Sequence, residues 1–225
     1  MQKFAAGAHK AAQLCGHAQH ESMGRHIGGY HSACTDHACA TDGYIIANRH
    51  TNANVAFFAY DYGFEGFEIY DAVKERNAHH DSILRRERTA DARRKMRNRN
   101  LSLSALRMPV TAESDECTAE LLLKYVDMAA NASVDNVIVR VEKETSFDIL
   151  DKKFAQAIKR AENADVNILF ETVGYLANTE NIIGIINHFS SAVIGASWNV
   201  RGTYFGAGET SEATIKTLGA YIKYV

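Results

Sequence analysis

Three polar side chains stand at or near the ends of short apolar runs. Glu171 follows the run 166–170, Asn199 follows the run 192–198, and Arg140 lies near the end of a third run of the same kind. A guanidinium near the carboxyl end of a strand can hold a carboxylate or a phosphate through two hydrogen bonds. These residue types predict a polar site built from strand ends.

The segment between the Glu171 and Asn199 runs has the pattern of a helix. Thr179 can cap it. Its apolar face, at near-helical spacing, would consist of Ile182, Ile183, Ile185, Ile186 and Phe189. A strand, a helix and a second strand within about 30 residues form a βαβ unit, whose strands run parallel. Polar residues at the ends of such strands share one rim of the sheet.

The same alternation extends over most of the chain. Further strands are expected at 44–47, 64–70, 101–106 (ended by Pro109), 134–141 and from 221 onward. Further helices are expected at 54–62, 114–132, 147–164 and 211–220.

Counted from Tyr44, the pattern has seven strand starts, whereas a closed (β/α) barrel requires eight. We therefore predict an α/β fold, a (β/α) TIM-type barrel that is incomplete at its C-terminus. Such a barrel has two open edges. Open edges predict either a homo-oligomer that pairs them or a marginally stable monomer.

Bulk composition indicates one globular domain, at 43–225, preceded by an extension, 1–42. The 225 residues are 46% hydrophobic and 23% charged, with a formal net charge of −2, which indicates no nucleic-acid partner. No apolar run is long enough to span a membrane and no signal peptide is recognisable, so cytoplasm is the expected location. The four cysteines do not resemble a disulfide framework.

Two segments have unusual compositions. Residues 1–42 hold three of the four cysteines and six of the ten histidines, ligand types that zinc accepts, but their spacing fits no zinc-finger pattern. We expect a poorly ordered extension there. Residues 81–100 are strongly basic and contain no aromatic residue, which favours a solvated helix face over a nucleic-acid surface.

The stretches FETVGYLANTENI and IGASWNVRGTYFGAGETSEATIKTLGAYIKYV resemble the sugar phosphate isomerase/epimerase family, whose members have the xylose isomerase-like barrel. Members have a strand that ends in Glu, a G-x-x-A-D-T turn, a Trp-Asp-Val strand end and a Gly-Glu before a helix. The resemblance covers residues 43–225, more weakly upstream of 166.

The resemblance implies a divalent metal (Mn, Mg, Co or Zn) held by a Glu, an Asp, a His and a second Glu. The metal binds two oxygens of a sugar or sugar phosphate, and carboxylates move a proton through an enediolate. Glu171 matches the first Glu and is the expected catalytic residue and metal ligand. Asn199 stands at the Asp position, where an amide oxygen is a weaker ligand. Arg201 stands where members carry His.

Several other residues are candidate substrate-binding groups. Glu68 lies inside an apolar strand, where a carboxylate needs a partner or a wet cavity. For Arg140 the alternative is an ion pair with Glu142 or Glu68. The full set of substrate-binding candidates is Arg140, Glu68, Trp198, Arg201 and His50.

Three functions remain open from the sequence. The first is a sugar isomerase or epimerase, although one of four expected metal ligands is present. The second is a non-catalytic relative that binds an anionic sugar or a protein partner through Arg140 and Arg201. The third, a nuclease similar to apurinic-site endonucleases, is disfavoured by the negative net charge and by a rim poor in His and Lys.

Overall fold

The computed structural model describes residues 39–41, 44–47, 65–70, 72, 89–98 and 100–225. The chain divides into two compact units, residues 1–104 and residues 105–225. The expected helix at 54–62 and the candidate His50 lie outside the described residues, as do residues 1–38 of the expected extension. None of the helices in the described ranges is long and apolar enough to cross a membrane.

The described part of the first unit contains three complete strands. Strand β1 (Cys39–Thr41), which falls within the expected extension, pairs antiparallel with β2 (Tyr44–Ala47). Strand β2 pairs in parallel with β3 (Gly66–Tyr70), so the strands expected at 44–47 and 64–70 are present. Phe67 and Ile69 of β3 are buried, and Glu68 between them is buried as well.

Helix α1 (Thr89–Arg97) also belongs to the first unit and carries part of the basic segment. Arg94 and Lys95 are exposed and both pair with Asp91, at 2.7 and 2.8 Å. This arrangement is the solvated helix face that the composition predicted.

Strand β4 (Ser102–Thr111) begins in the first unit and continues into the second. The remaining strands of the second unit are β5 (Asn136–Arg140), β6 (Asn167–Glu171), β7 (Ile194–Ser197) and β8 (Ile222–Tyr224). The helices between them are α2 (Ala119–Ala132), α3 (Phe147–Ala164), α4 (Thr179–Phe189) and α5 (Ser211–Leu218). Each strand pairs in parallel with the next one along the chain, from β4 to β8. The alternation of parallel strands and helices is confirmed.

The two faces of this sheet have different neighbours. Ala105, Ile138 and Leu169, from three adjacent strands, form one fully buried cluster. We call the face that bears them the inner face. Phe170 points the other way and packs on Phe154 of α3, with ring centroids 5.4 Å apart. Because side chains alternate along a strand, Glu171 lies on the inner face with Leu169.

Two local expectations are wrong. Pro109 does not end its strand, because β4 runs on to Thr111. The pairing of β4 with β5 shifts between Arg107 and Thr111, so Pro109 falls in an irregular part of the ladder. The cap of α4 is Asn178 rather than Thr179: Asn178 has extended backbone angles, and its side chain accepts a hydrogen bond from the Glu180 amide at 3.0 Å.

Helix α2 begins later than the expected residue 114. Thr118 takes the capping position, and its hydroxyl accepts a hydrogen bond from the Leu121 amide at 3.2 Å. The preceding residues form turns, in which the Cys117 amide donates to the Ser114 carbonyl oxygen at 3.0 Å. The start of the helix is therefore set by a side chain that accepts a hydrogen bond from the amide of the third helical residue, and apolar spacing located it less sharply.

Candidate functional site

Glu171 and Asn199 meet at the carboxyl-end rim of the second unit. Glu171 is the last residue of β6, where it pairs in register with Ser197, the last residue of β7. Asn199 follows two residues later, and its Nδ2 donates a hydrogen bond to Glu171 Oε1 at 3.1 Å. The amide oxygen Oδ1 of Asn199 accepts a hydrogen bond from the Gly202 amide at 2.9 Å. The structure thus brings together the two side chains that end the two apolar runs.

Thr172 sets the position of Asn199. Its backbone amide donates to the Ser197 carbonyl oxygen at 3.0 Å, which extends the β6–β7 ladder by one residue. Its hydroxyl accepts a hydrogen bond from the Asn199 amide at 2.7 Å and lies 3.2 Å from the Asn199 carbonyl oxygen, to which it donates. The Thr172 side chain is fully buried, so Asn199 is held by a fixed group. Gly202 closes against the same segment, where a Cβ would lie 2.1 Å from the Thr172 carbonyl oxygen.

Arg107 is the functional candidate that the sequence analysis missed. Its Nη1 donates a hydrogen bond to Glu171 Oε2, and the two side chains are only 13% and 7% exposed. Both oxygens of Glu171 therefore have a donor, one an amide and one a guanidinium. The signal that could have found Arg107 is a charged residue inside the apolar run LSLSALRMPV, since a buried guanidinium needs a carboxylate.

Arg140 ends β5, the strand next to β6. Its Nη1 lies 3.6 Å from Glu142 Oε1, an ion pair that is partly exposed on both sides. This pair is one of the two alternatives expected for Arg140. Its Nε is buried and has no hydrogen-bond partner within the described part of the chain.

The other candidates lie in different places. Trp198 is half-buried beside Asn199, and its Nε1 donates to Thr203 Oγ1 at 3.1 Å. Arg201 is exposed at the start of a π-helical turn, Gly202–Ala207, that follows β7. Glu68 lies in the first unit, buried within β3.

The Gly-Glu before the last helix has a structural role. The Glu209 carboxylate accepts hydrogen bonds from the Thr179 amide at 2.9 Å, from the Thr179 hydroxyl at 2.9 and 3.1 Å and from the Thr214 hydroxyl at 3.1 Å. A carboxylate at the amino end of α4 also complements the helix dipole. Glu209 therefore joins α4 to α5, and these donors account for its position.

The donor set around Glu171 does not fit a divalent metal ion. Among the described residues, no group of three or more His, Cys, Asp or Glu side chains is placed to hold one. The Asn199 amide turns its nitrogen towards Glu171 and engages its oxygen with the Gly202 amide. The Arg107 guanidinium places a positive charge against Oε2 of Glu171. A hard dication needs several oxygen ligands and would be repelled by that charge.

Comparison with known proteins shows which solved structures share this fold. No protein-family model and no curated protein match the chain. Among solved structures, a xylose isomerase domain protein from Planctomyces limnophilus has a TM-score of 0.61 at 12% identity, covering 80% of this chain and 70% of that one. The 3-keto-D-glucoside 4-epimerase from E. coli has a TM-score of 0.60 at 9% identity, covering 76% and 72%. The IOLI protein, solved with a bound zinc atom, has a TM-score of 0.59 at 16% identity, covering 79% and 69%.

The parallel strands and alternating helices thus define an α/β protein of the TIM-barrel class. Within that class, the chain has the xylose isomerase-like fold, which confirms the predicted resemblance at the level of fold. Identities of 9 to 16% establish this shared fold alone.

Proposed function

We propose that this chain binds a sugar at the carboxyl-end rim of its second unit, around Glu171, without a divalent metal ion on that carboxylate. One observation carries the proposal: Glu171 is held on one oxygen by Asn199 and on the other by Arg107. A carboxylate in this state keeps lone pairs for sugar hydroxyls, while its charge is already balanced by a guanidinium.

The position and the neighbouring groups support a sugar as the ligand. Sites of barrel enzymes lie at the carboxyl ends of the strands, where Glu171 and Asn199 are found. Trp198 lies beside them and can offer an apolar ring face to sugar C–H groups, and the exposed Arg201 adds hydrogen-bond donors. One protein of similar fold is an epimerase of a keto-glucoside.

Calorimetric titration tests this proposal directly. The metal-stripped chain, in a chelator, is titrated with a panel of neutral aldoses and ketoses and their phosphates. We expect binding that is unchanged by the chelator and weakened about tenfold or more in Glu171→Gln, which removes a charged acceptor. Glu144→Gln, the same change at an exposed carboxylate after β5, is the matched control and should bind like the parent.

Each result of the titration has a different meaning for the proposal. Absence of binding by every sugar would overturn the proposal. Binding that requires added manganese or zinc, and disappears with Glu171→Gln, would show that a metal site assembles after all. Circular dichroism of both variants shows whether lost binding follows lost folding.

A second candidate function is isomerase or epimerase chemistry, that is, proton transfer at the carbon next to a sugar carbonyl. The pairing of Glu171 with Arg107 favours it, because a carboxylate can act as base while the guanidinium stabilises the negative oxygen of an enediolate. Deuterium uptake at that carbon, followed by NMR in heavy water with chelator present, measures this step. Glu171→Gln should abolish the uptake. Uptake that persists in Glu171→Gln would exclude Glu171 as the base.

A further inference from the structure

The inner face of the second unit carries two guanidinium groups at its carboxyl end. Arg107 pairs in register with Ile138, a member of the inner cluster. Arg140 lies two residues after Ile138, so alternation returns it to the same face. Because Val139 pairs with Phe170, Arg140 stands beside Glu171 on the adjacent strand. Arg140 and Glu171 therefore lie side by side one step beyond the apolar cluster, and Arg107, which is level with Ile138, reaches Glu171 with its guanidinium.

The guanidinium of Arg140 is poorly satisfied. A guanidinium has five N–H donors. Within the described residues, its one contact with a carboxylate is the 3.6 Å approach to Glu142, which is longer than a hydrogen bond. Its Nε is buried and has no acceptor there. Arginines with a purely structural role normally have their buried donors bonded, so this side chain lacks an acceptor group.

Glu142 is a weak competitor for this guanidinium. Its side chain is 42% exposed, and its backbone amide is directed to the Glu113 carboxylate, at 3.2 Å from Oε1. Gly174 lies close to this side chain, since a Cβ there would lie 2.4 Å from Glu142 Oε2. Exposed ion pairs of this kind are screened by water and contribute little. A ligand anion on the inner side can therefore displace Glu142 from Arg140.

The charges of these side chains support the same conclusion. Glu171 balances Arg107, and the two are in direct contact. Of these two guanidinium groups, Arg140 is the one whose nearest described carboxylate is 3.6 Å away, so its charge is available to a ligand. Neighbouring strands lie about 4.8 Å apart, so one small molecule can place an acceptor group against Arg140 and a hydroxyl against Glu171.

We propose that Arg140 is an anion-binding residue of the sugar site and that the ligand is an anionic sugar, bearing a phosphate or a carboxylate. The anion accepts two hydrogen bonds from the guanidinium, while the sugar hydroxyls reach Glu171 and Asn199. This inference rests on the proposed sugar-binding function and adds the chemical class of the ligand.

Titration of four probes tests it: a neutral hexose, its 6-phosphate, the corresponding uronic acid and inorganic phosphate. We expect the sugar phosphate or the uronic acid to bind at least about tenfold more tightly than the neutral hexose. In Arg140→Gln that ratio should fall to about one, because the anion loses the guanidinium that donates to it. Arg160→Gln, which removes a partly exposed guanidinium paired with Asp127, is the control and should keep the parent ratio.

The probes distinguish the possible failures. If neutral and anionic sugars bind equally, and Arg140→Gln changes neither, the anion site is wrong while sugar binding stands. If no sugar binds, the proposed function fails and this inference fails with it. If inorganic phosphate binds as tightly as the sugar phosphate, the anion site is independent of a sugar and the inference is overturned. Comparison of the 6-phosphate with the uronic acid identifies which anion the guanidinium prefers.

Discussion

Arg107→Met should destabilise the chain strongly, because it leaves the Glu171 carboxylate buried without its cation. The two side chains are 13% and 7% exposed in the parent, so water can solvate the remaining charge only poorly. Removing one partner of a buried ion pair costs about 3–5 kcal/mol. Asn199 still donates to Oε1 at 3.1 Å, which favours the lower end, about 3 kcal/mol. Methionine keeps most of the side-chain volume, so a cavity adds little.

The expected loss of stability is large relative to the free energy of unfolding of a whole domain. Domains of ordinary size are stable by about 5–15 kcal/mol, so a loss of about 3 kcal/mol lowers the midpoint of urea unfolding markedly. The double variant Arg107→Met with Glu171→Gln removes the buried charge as well. It should recover about 2 kcal/mol of the loss, and a double-mutant cycle that includes the single Glu171→Gln variant gives the coupling energy of the pair.

Arg160→Met is the matched control for this experiment. Its guanidinium also pairs with a carboxylate, Asp127, at 2.7 Å, but the two side chains are 38% and 46% exposed. An exposed pair contributes about 0–1 kcal/mol, so this variant should unfold close to the parent. If Arg107→Met and Arg160→Met lose the same stability within about 0.5 kcal/mol, burial does not govern the Arg107–Glu171 pair and the reasoning is refuted.

Three further predictions follow from single side chains. Gly202→Ala should lower the free energy of unfolding by about 1–3 kcal/mol, because the added Cβ would meet the Thr172 carbonyl oxygen. Gly184 lies inside α4 with open space around it, so Gly184→Ala should raise the free energy of unfolding by about 1 kcal/mol. Equal effects on urea unfolding would contradict both. Glu209→Ala should lower the free energy of unfolding, measured by thermal unfolding, by about 2 kcal/mol, because the Glu209 carboxylate accepts hydrogen bonds from α4 and α5. A variant as stable as the parent would exclude this linkage. Burial raises the pKa of the Cys117 thiol from 9.0 to about 11, so stability should fall as the pH rises through this interval, where the unfolded thiol ionises and the folded one does not. Iodoacetamide at pH 8, followed by peptide mapping, should label Cys117 only in urea, and rapid labelling of the folded chain would refute its burial.

The fold was largely predictable from local patterns. Helix α3 occupies Phe147–Ala164, the expected range, because its apolar residues recur at helical spacing over five turns. Strand β6 ends at Glu171 as expected, because a run of buried β-formers stops at the first charged residue. Such signals need only the residues within one element. They fail where a proline sits at a shifted register, as Pro109 does in β4.

The candidate site was predictable in part. A parallel βαβ unit brings the ends of its strands to one rim, so Glu171 and Asn199 could be placed together from the sequence alone. Arg107 lies 64 residues before Glu171, and its contact depends on the register of β4 against β5 and of β5 against β6. No local pattern specifies that register.

The sequence by itself determined the order of strands and helices in the second unit and the residues that end the strands, because periodicity and capping are properties of neighbouring residues. Its motifs carried the resemblance to a barrel fold. Only the tertiary structure decided that a guanidinium, rather than a ligand set for a metal ion, lies against Glu171. It also decided that the Asn199 amide donates to Glu171 instead of offering its oxygen to a cation. Both outcomes depend on the distance and orientation of side chains from separate strands, which are set when the strands pair and the core between them closes.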